Sequence, residues 1–285
     1  MTRTEAPVGR LLVCPTPIGN LEDVTLRVLQ ALAAADVVAC EDTRHTRVLL
    51  ERYAISAHLV SFHEHNERAR AADLVKRIAA GEVVALVSDA GMPLVSDPGH
   101  ELVRACLEVG LEVEVLPGPS AVMTALVASG LPAERWRFVG FLPRTRGELE
   151  RMLGETPETL VAFESPRRLA ATLALLAERD PTRPVAICRE LTKLHEEVRR
   201  GSAAELAAAY RETQPRGEMV LVCGAAPAGQ VDRGQALEAL RELIAAGAKT
   251  RPAAAAVAKL TGLGANELYR ELLSEETRAG TPPLA

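Results

Sequence analysis

Five consecutive residues, Val83-Val84-Ala85-Leu86-Val87, are apolar without a break. A strand with one face in water alternates apolar and polar side chains, so an unbroken short run marks a strand covered on both faces, as in a parallel sheet layered with helices. Similar runs recur through the first part of the chain, each followed by a segment of helical period: LLVC before DVTLRVLQALAAA, VVAC before TRHTRVLLERY, HLVSF before NERARAADLVKRIAAG, VVALVSD before HELVRACLEVG, and then EVEVLPG. That alternation predicts a parallel α/β sheet, with Asp23 and Asn66 standing where helix N-caps belong.

Beyond Pro117-Gly118-Pro119 the pattern continues with SAVMTALVASG, RFVGFLP, RGELERMLGE, TLVAFES, PRRLAATLALLAERD, PVAICREL, ELAAAYRET and EMVLVCG, a second α/β domain. Its KLHEEVRRGS stretch reads as a hairpin-like return, so strand directions here are expected to be mixed. Ala225 to Gln230, AAPAGQ, reads as a small-residue linker, after which only helical patterns remain, resembling a helix-turn-helix unit. The expected domains are residues 8–118, 119–225 and 231–285, and 285 residues with 48% hydrophobic content suffice for more than one core.

The net charge of −5 argues against a generic electrostatic grip on nucleic acid, and residues 231–285 carry seven basic and seven acidic side chains, which single out no partner. Cys14, Cys40, Cys106, Cys188 and Cys223 show no CxxC or Cys/His metal spacing, so no metal is expected. Buried free thiols in a reducing cytoplasm fit them best. The opening MTRTEAPVGR has neither a signal-peptide nor a membrane-spanning pattern.

GxGxxG after the first strand, GxxxxGK[ST], HExxH and GxSxG are all missing, which removes the dinucleotide, P-loop, zinc-protease and esterase readings. What remains is a set of loops at strand ends: TPIGNLED, CEDTRHT, SFHEHNE, SDAGMPLVSDPG, LPGPSA, FESPRR, RELTKLHEE and RGEMVLV. Loops after successive parallel strands share one sheet edge, so the first five are placed to line one cleft. The longest, Ser88 to Gly99, packs two Gly, two Pro, two Asp and two Ser into twelve positions. Gly91 lets backbone approach a ligand, Pro93 and Pro98 stiffen the loop, and Asp89 and Asp97 are placed to cap a helix or accept hydrogen bonds.

Singly, these loops have structural explanations. Glu41-Asp42 before Thr43 suits a helix start, His63 and His65 alternate as in an extended segment, Ser120 suits an N-cap, Phe163 suits a core ring, and Lys193 lies in a charged cluster.

Taken together, in order and wording, the loops resemble the tetrapyrrole-methylase superfamily, and within it the small-subunit ribosomal RNA (cytidine-2′-O)-methyltransferases. The resemblance spans nearly the whole chain, including the C-terminal PAAAAVAKLTGLGANELYRELL. It implies two α/β domains of the class III type with a ligand cleft between them and a small C-terminal helical domain. It also implies S-adenosylmethionine as cofactor, homodimerisation, and methylation of a cytidine ribose in the 16S decoding region, free or in the small ribosomal subunit. By similarity the cofactor pocket comprises Pro17, Asp89, Gly91, Met92, Leu94, Val95, Ser120, Ala121, Phe163, Leu191, Gly217, Glu218 and Met219. Methyl transfer from a sulfonium is an in-line displacement, in which positioning matters most and a base or cation helps the ribose hydroxyl. Lys193, Glu41, Asp42 and Glu64 are the candidates for that role, and Arg44, His45, His63, His65, Asn66 and Lys193 for RNA contact. The runners-up are a small-molecule methyltransferase acting on a tetrapyrrole and a ribosome-assembly factor without catalysis. The C-terminal domain is expected to add affinity for RNA or the subunit.

Overall fold

The computed structural model describes residues 9–213, 215–226, 233–261 and 263–278. The chain forms two compact units, Met1–Ala225 and Ala226–Ala285. The proposed linker lies mostly outside the described residues.

The first half of the large unit alternates strictly: β1 (Arg10–Val13), α1 (Leu26–Ala34), β2 (Val37–Cys40), α2 (Thr43–Arg52), β3 (Leu59–Ser61), α3 (Glu67–Ala79), β4 (Val83–Val87), α4 (His100–Glu108) and β5 (Glu112–Val115). Its sheet runs β3-β2-β4-β1-β5, every pair parallel, as the unbroken apolar runs require. Leu32, Leu49 and Leu50 of α1 and α2 pack on one face with Leu12, Val38 and Ala85. Leu74, Ile78 and Leu102 of α3 and α4 pack on the other with Leu11, Val37 and Val84. After β1 the chain therefore crosses one face, and after β4 the other, which makes the carboxyl ends of β1 and β4 the topological switch point.

Two of the expected N-caps differ. The Asn20 side chain accepts from Glu22 N–H and starts a 3₁₀ turn over Leu21–Asp23, which displaces the cap of α1 from Asp23 to Thr25, whose hydroxyl accepts from Val28 N–H at 3.2 Å. Asn66 does stand at the head of α3, but its side chain turns back to accept from His63 N–H at 2.9 Å. Ser120 caps as expected, accepting from Met123 N–H.

The second half contains α5 (Ala121–Ser129), β6 (Trp136–Phe141), α6 (Arg146–Glu155), β7 (Thr159–Glu164), α7 (Pro166–Arg179), β8 (Pro184–Arg189), β9 (Glu197–Ser202), α8 (Ala203–Tyr210) and β10 (Met219–Cys223). Its sheet, β6-β7-β10-β8-β9, pairs β6 and β7 in parallel and the rest antiparallel, so the expected mixture and the KLHEEVRRGS return are both present. Leucines of α6, α7 and α8 cover one face. Val122, Ala125 and Leu126 of α5 cover the other, joined by Ile18 from the loop after β1 and Leu191 from the loop after β8.

All five cysteines are buried and free, one or two in each of the four core layers of the large unit. Burial pushes the thiols of Cys14 and Cys223 up to about 12, and those of Cys106 and Cys188 to about 11. Among the described residues the small unit has three helices, α9 (Arg233–Ala245), α10 (Thr250–Thr261) and α11 (Ala265–Arg278), closed around Leu237, Leu240, Val257, Leu268 and Leu272. Among the described residues no helix is long and apolar enough to cross a membrane.

The start of α4 shows how tightly the long loop is anchored. Its N-cap, Gly99, has φ +136° and no side chain, so Glu67 of α3 supplies the acceptor, taking Gly99 N–H at 2.9 Å and Glu101 N–H at 3.0 Å through one carboxylate oxygen. A methyl group on Gly99 would lie 2.7 Å from Leu94 Cδ1 and 2.8 Å from Leu86 Cδ2. Gly99→Ala is therefore expected to lower stability by about 2–4 kcal/mol through strain and overpacking. Urea unfolding with an unchanged midpoint would contradict that.

Candidate active site

The loops after β1 and β4 are tied at the switch point by a reciprocal backbone pair, Thr16 N–H to Gly91 C=O and Gly91 N–H to Thr16 C=O, both 2.9 Å. Gly91 has φ +79°, a conformation that disfavours any side chain. The loop after β2 joins through Asp42 N–H donating to Asp89 Oδ1 at 3.0 Å. The second half meets this edge through RELTKLHEE, where Thr192 Oγ1 accepts from Asn20 N–H at 3.0 Å. A methyl at Gly19 would stand 2.4 Å from Lys193 Cγ, so only glycine lets these two loops close. Five non-glycine residues have left-handed φ among those described, and four of them belong to the loops after β4 (Leu94, Ser96) and β8 (Glu190, Thr192). Strain of that kind collects where surrounding structure over-determines the backbone, as at binding sites.

Between the two sheets lies a cavity of about 390 Å³, inside the range of about 300–1,000 Å³ typical of small-ligand sites. Gly91, Met92 and Val95 form one wall, Ser120 and Ala121 another, and Phe163, Leu191, Gly217, Glu218 and Met219 face them from the second half. Those ten residues are all on the expected cofactor list. Three others on it lie elsewhere: Pro17 and Asp89 line a neighbouring cavity of about 340 Å³, and Leu94 packs inward on the first core, bent there by its φ of +72°. The main cavity also gains Ile18, Ser96, Asp97, Phe141, Glu164, Ser165 and Pro166, which were not singled out as cofactor contacts. Phe141 carried one usable signal, being one of four Phe in a chain with 3% aromatics; its ring sits 5.5 Å from that of Phe163. Glu164, 2% exposed, is held by the Thr172 hydroxyl and Ser165 N–H, each at 2.7 Å, with Arg168 Nε at 3.4 Å.

The polar candidates separate into distinct environments. Asp42 is the N-cap of α2, and Arg44 clamps it at 2.7 Å, holding its carboxyl well below the usual range. Arg44 is thereby engaged with Asp42. Burial, followed by the charge of Asp89, pushes the Glu41 carboxyl up. Glu64 is exposed, and neither Glu41, Asp42 nor Glu64 lines either cavity. His63 to Asn66 is a turn and not the extended segment expected, closed by Asn66 N–H donating to His63 C=O, and it sets the His63 and His65 rings edge to face at 5.9 Å. His45 and Lys193 line the second cavity. Burial disfavours the Lys193 ammonium, but Glu190 Oε1 and Glu218 Oε2, each 2.9 Å away, outweigh that and hold its pKa up. No cluster suited to a metal ion occurs among the described residues.

Residues 10–207 match the family model of the tetrapyrrole (corrin/porphyrin) methylases. The chain belongs to that family. It is 46% identical over 275 residues to the ribosomal RNA small subunit methyltransferase I of Mesorhizobium japonicum, covering 95% of this chain and 93% of that one. It is 42% identical over 275 residues to the protein of the same name from Escherichia coli O157:H7, covering 94% and 96%. These relatives place it in the small-subunit ribosomal RNA branch of the methylases. A solved tetrapyrrole methylase, the uroporphyrin-III C-methyltransferase of Thermus thermophilus in complex with S-adenosylhomocysteine, shares the fold with a TM-score of 0.54 at 24% identity, covering 76% of this chain and 97% of that one.

Within this methylase cavity Asp97 is a carboxyl far from its ordinary state. Burial, and then the charge of Glu41, raise its carboxyl from 3.8 to about 6. A raised folded-state pKa favours folding below the unfolded value and loses that contribution as pH climbs through the folded one. Asp97→Asn, which never ionises, should therefore be more stable than the parent at pH 8, on the order of 1–2 kcal/mol. The gap should shrink between pH 6 and pH 4, the window set by those two pKa values. Urea unfolding of both proteins across that range, with a gap independent of pH, would show that Asp97 is not shifted.

Proposed function

We propose that this protein transfers a methyl group from S-adenosylmethionine to the ribose 2′-hydroxyl of a cytidine in the decoding region of 16S ribosomal RNA. The observation that carries this reading is the cavity between the two sheets, walled by ten of the thirteen residues expected to hold the cofactor, in a chain so similar to ribosomal RNA methyltransferases. The residues present fit that cofactor. Gly91 and Gly217, both with positive φ, leave backbone exposed to polar ends, while Ile18, Val95 and Phe163 give apolar walls for a base.

Bound there, the cofactor supplies an electrophilic methyl carbon on a sulfonium. The protein supplies placement. The Thr16–Gly91 pair and the Asn20–Thr192 contact fix the facing walls, so the attacking oxygen is presented by preformed loops, the main source of acceleration in a displacement. Lys193, pinned by Glu190 and Glu218, places a positive charge at the edge of both cavities' shared wall, suited to an oxygen gaining negative charge or to a neighbouring phosphate. Asp97 lines the cavity with a proton affinity near that of an effective base and is the candidate acceptor of the hydroxyl proton, while Glu41, outside both cavities, acts through its charge on Asp97.

Arg44 and His45 in the first turn of α2, and His63, His65 and Asn66 in the loop after β3, stand on the edge that carries the site and are the proposed RNA contacts. For the C-terminal unit the reading keeps affinity for RNA or the subunit. A homodimer is supported by exposed apolar side chains, Val127 at 76% and Met123 at 48% on the largely apolar α5, and Val115 at 58% on the edge strand β5. Buried reduced thiols fit a cytoplasmic location.

The decisive experiment incubates the protein with labelled S-adenosylmethionine and small subunits that lack the modification, then maps the methyl group. Label on a cytidine ribose is expected, and label on a base carbon or on protein would end the reading. Under the same conditions Lys193→Met should lose roughly a hundredfold in methylation, with stability changed by about 1 kcal/mol or less and S-adenosylhomocysteine affinity within a few-fold. Turnover at saturating RNA close to that of the parent would remove Lys193 from the chemistry.

A further inference from the structure

The second cavity, about 340 Å³, shares Ile18, Ala90 and Glu218 with the first, so whatever occupies it lies directly against the methyl donor's site. Its composition is that of a nucleobase site and not of packing. Leu21, Val48 and Leu49 supply apolar walls for the faces of a ring. Asp89 spends one carboxylate oxygen on Asp42 N–H and lines the same space. Thr46, only 3% exposed, also lines it, and its hydroxyl has the Cys40 thiol, a weak hydrogen-bonding group, as its one neighbour of that kind. A buried hydroxyl so weakly paired costs stability unless a ligand completes it.

We propose that this cavity receives the acceptor nucleotide, turned out of its strand, with the exocyclic amine of cytosine on the Asp89 carboxylate and the Thr46 hydroxyl on a second edge atom. The inference deepens the ribosomal RNA reading and rests on it. A base that occupies a closed protein cavity has left its stack, and a carboxylate there accepts from the cytosine N4 amine while repelling the O4 carbonyl that uracil carries in its place. Cytidine is thereby chosen over uridine by Asp89, in the loop after β4. The wall shared with the first cavity is where the ribose is then presented.

The test does not depend on turnover. Methyl-labelled protein saturated with S-adenosylhomocysteine is titrated with cytidine 5′-monophosphate and, separately, uridine 5′-monophosphate, following the Leu21, Val48 and Leu49 methyl signals by NMR. Saturable shifts with cytidine monophosphate, and binding at least tenfold weaker with uridine monophosphate, are expected. Asp89→Asn should erase or reverse that preference while S-adenosylhomocysteine affinity stays within about threefold. Thr46→Val should weaken cytidine monophosphate roughly fivefold or more with little change in melting temperature, since the hydroxyl it removes meets only the weak Cys40 thiol. Unmoved signals at roughly 50 mM nucleotide, far above the ~1 mM expected of a fragment-sized ligand, would overturn the proposal. So would equal shifts by both nucleotides, or an Asp89→Asn protein that loses S-adenosylhomocysteine instead. If cytidine monophosphate binds here while the mapped methyl group falls on another nucleotide, the functional reading fails and the pocket stands.

Discussion

Two hydrogen bonds between Thr16 and Gly91 decide where this molecule has a site. A parallel sheet sends its loops to one edge, and at the switch point adjacent strands hand their chains to opposite faces, leaving a crevice that must be closed or used. Here the reciprocal backbone pair closes its floor. Asp89 is then aimed at Asp42, Ile18 is carried across to the core of the second sheet, and the space above Gly91 stays open. The second sheet completes the walls from the other side through Leu191 and Phe163.

Closing two loops this tightly forces backbone into costly regions. Leu94, Ser96, Glu190 and Thr192 each carry a left-handed φ, at on the order of 1–3 kcal/mol apiece. The layers beneath can carry that load, because both sheets are sandwiched between helices and their central strands are buried, Val83 at the start of β4 alone being half-buried. Compensation is also local: Glu67 caps α4, Glu190 accepts from Glu218 N–H at 2.9 Å, and Glu164 is held by Thr172 and Ser165. A buried carboxylate under a ligand cavity is tolerable only when its oxygens are satisfied in this way.

Much of this was legible in the sequence because it follows from local chemistry. The run Val83–Val87 announced a strand covered on both faces, Ser120 announced a cap, and the stretch around Glu197 announced a return strand. The family followed from eight ordered loops, which also led to ten of the residues on the cavity wall. The misses are places where a distant partner decides. Asp23 lost its cap because Asn20 acts first, Asn66 turned to His63, and Leu94 faces inward because the backbone before Gly99 bends that way. The proton affinity of Asp97 depends on burial in the assembled cleft and then on Glu41, which another strand delivers, and nothing in SDAGMPLVSDPG encodes either. Ser165 and Pro166 reach the cavity only because β7 ends beside it.

The burial of all five thiols has an experimental consequence. Each of the four core layers in the large unit contains at least one cysteine, and all are sealed from solvent. A sealed, protonated thiol reacts only when its layer opens, so alkylation rates read local opening directly. Cys14, Cys40 and Cys106 report on the first sheet, and Cys188 and Cys223 on the second. The native chain thus carries its own set of clocks, able to tell whether a ligand stiffens one wall of the cleft or both, without a single introduced label.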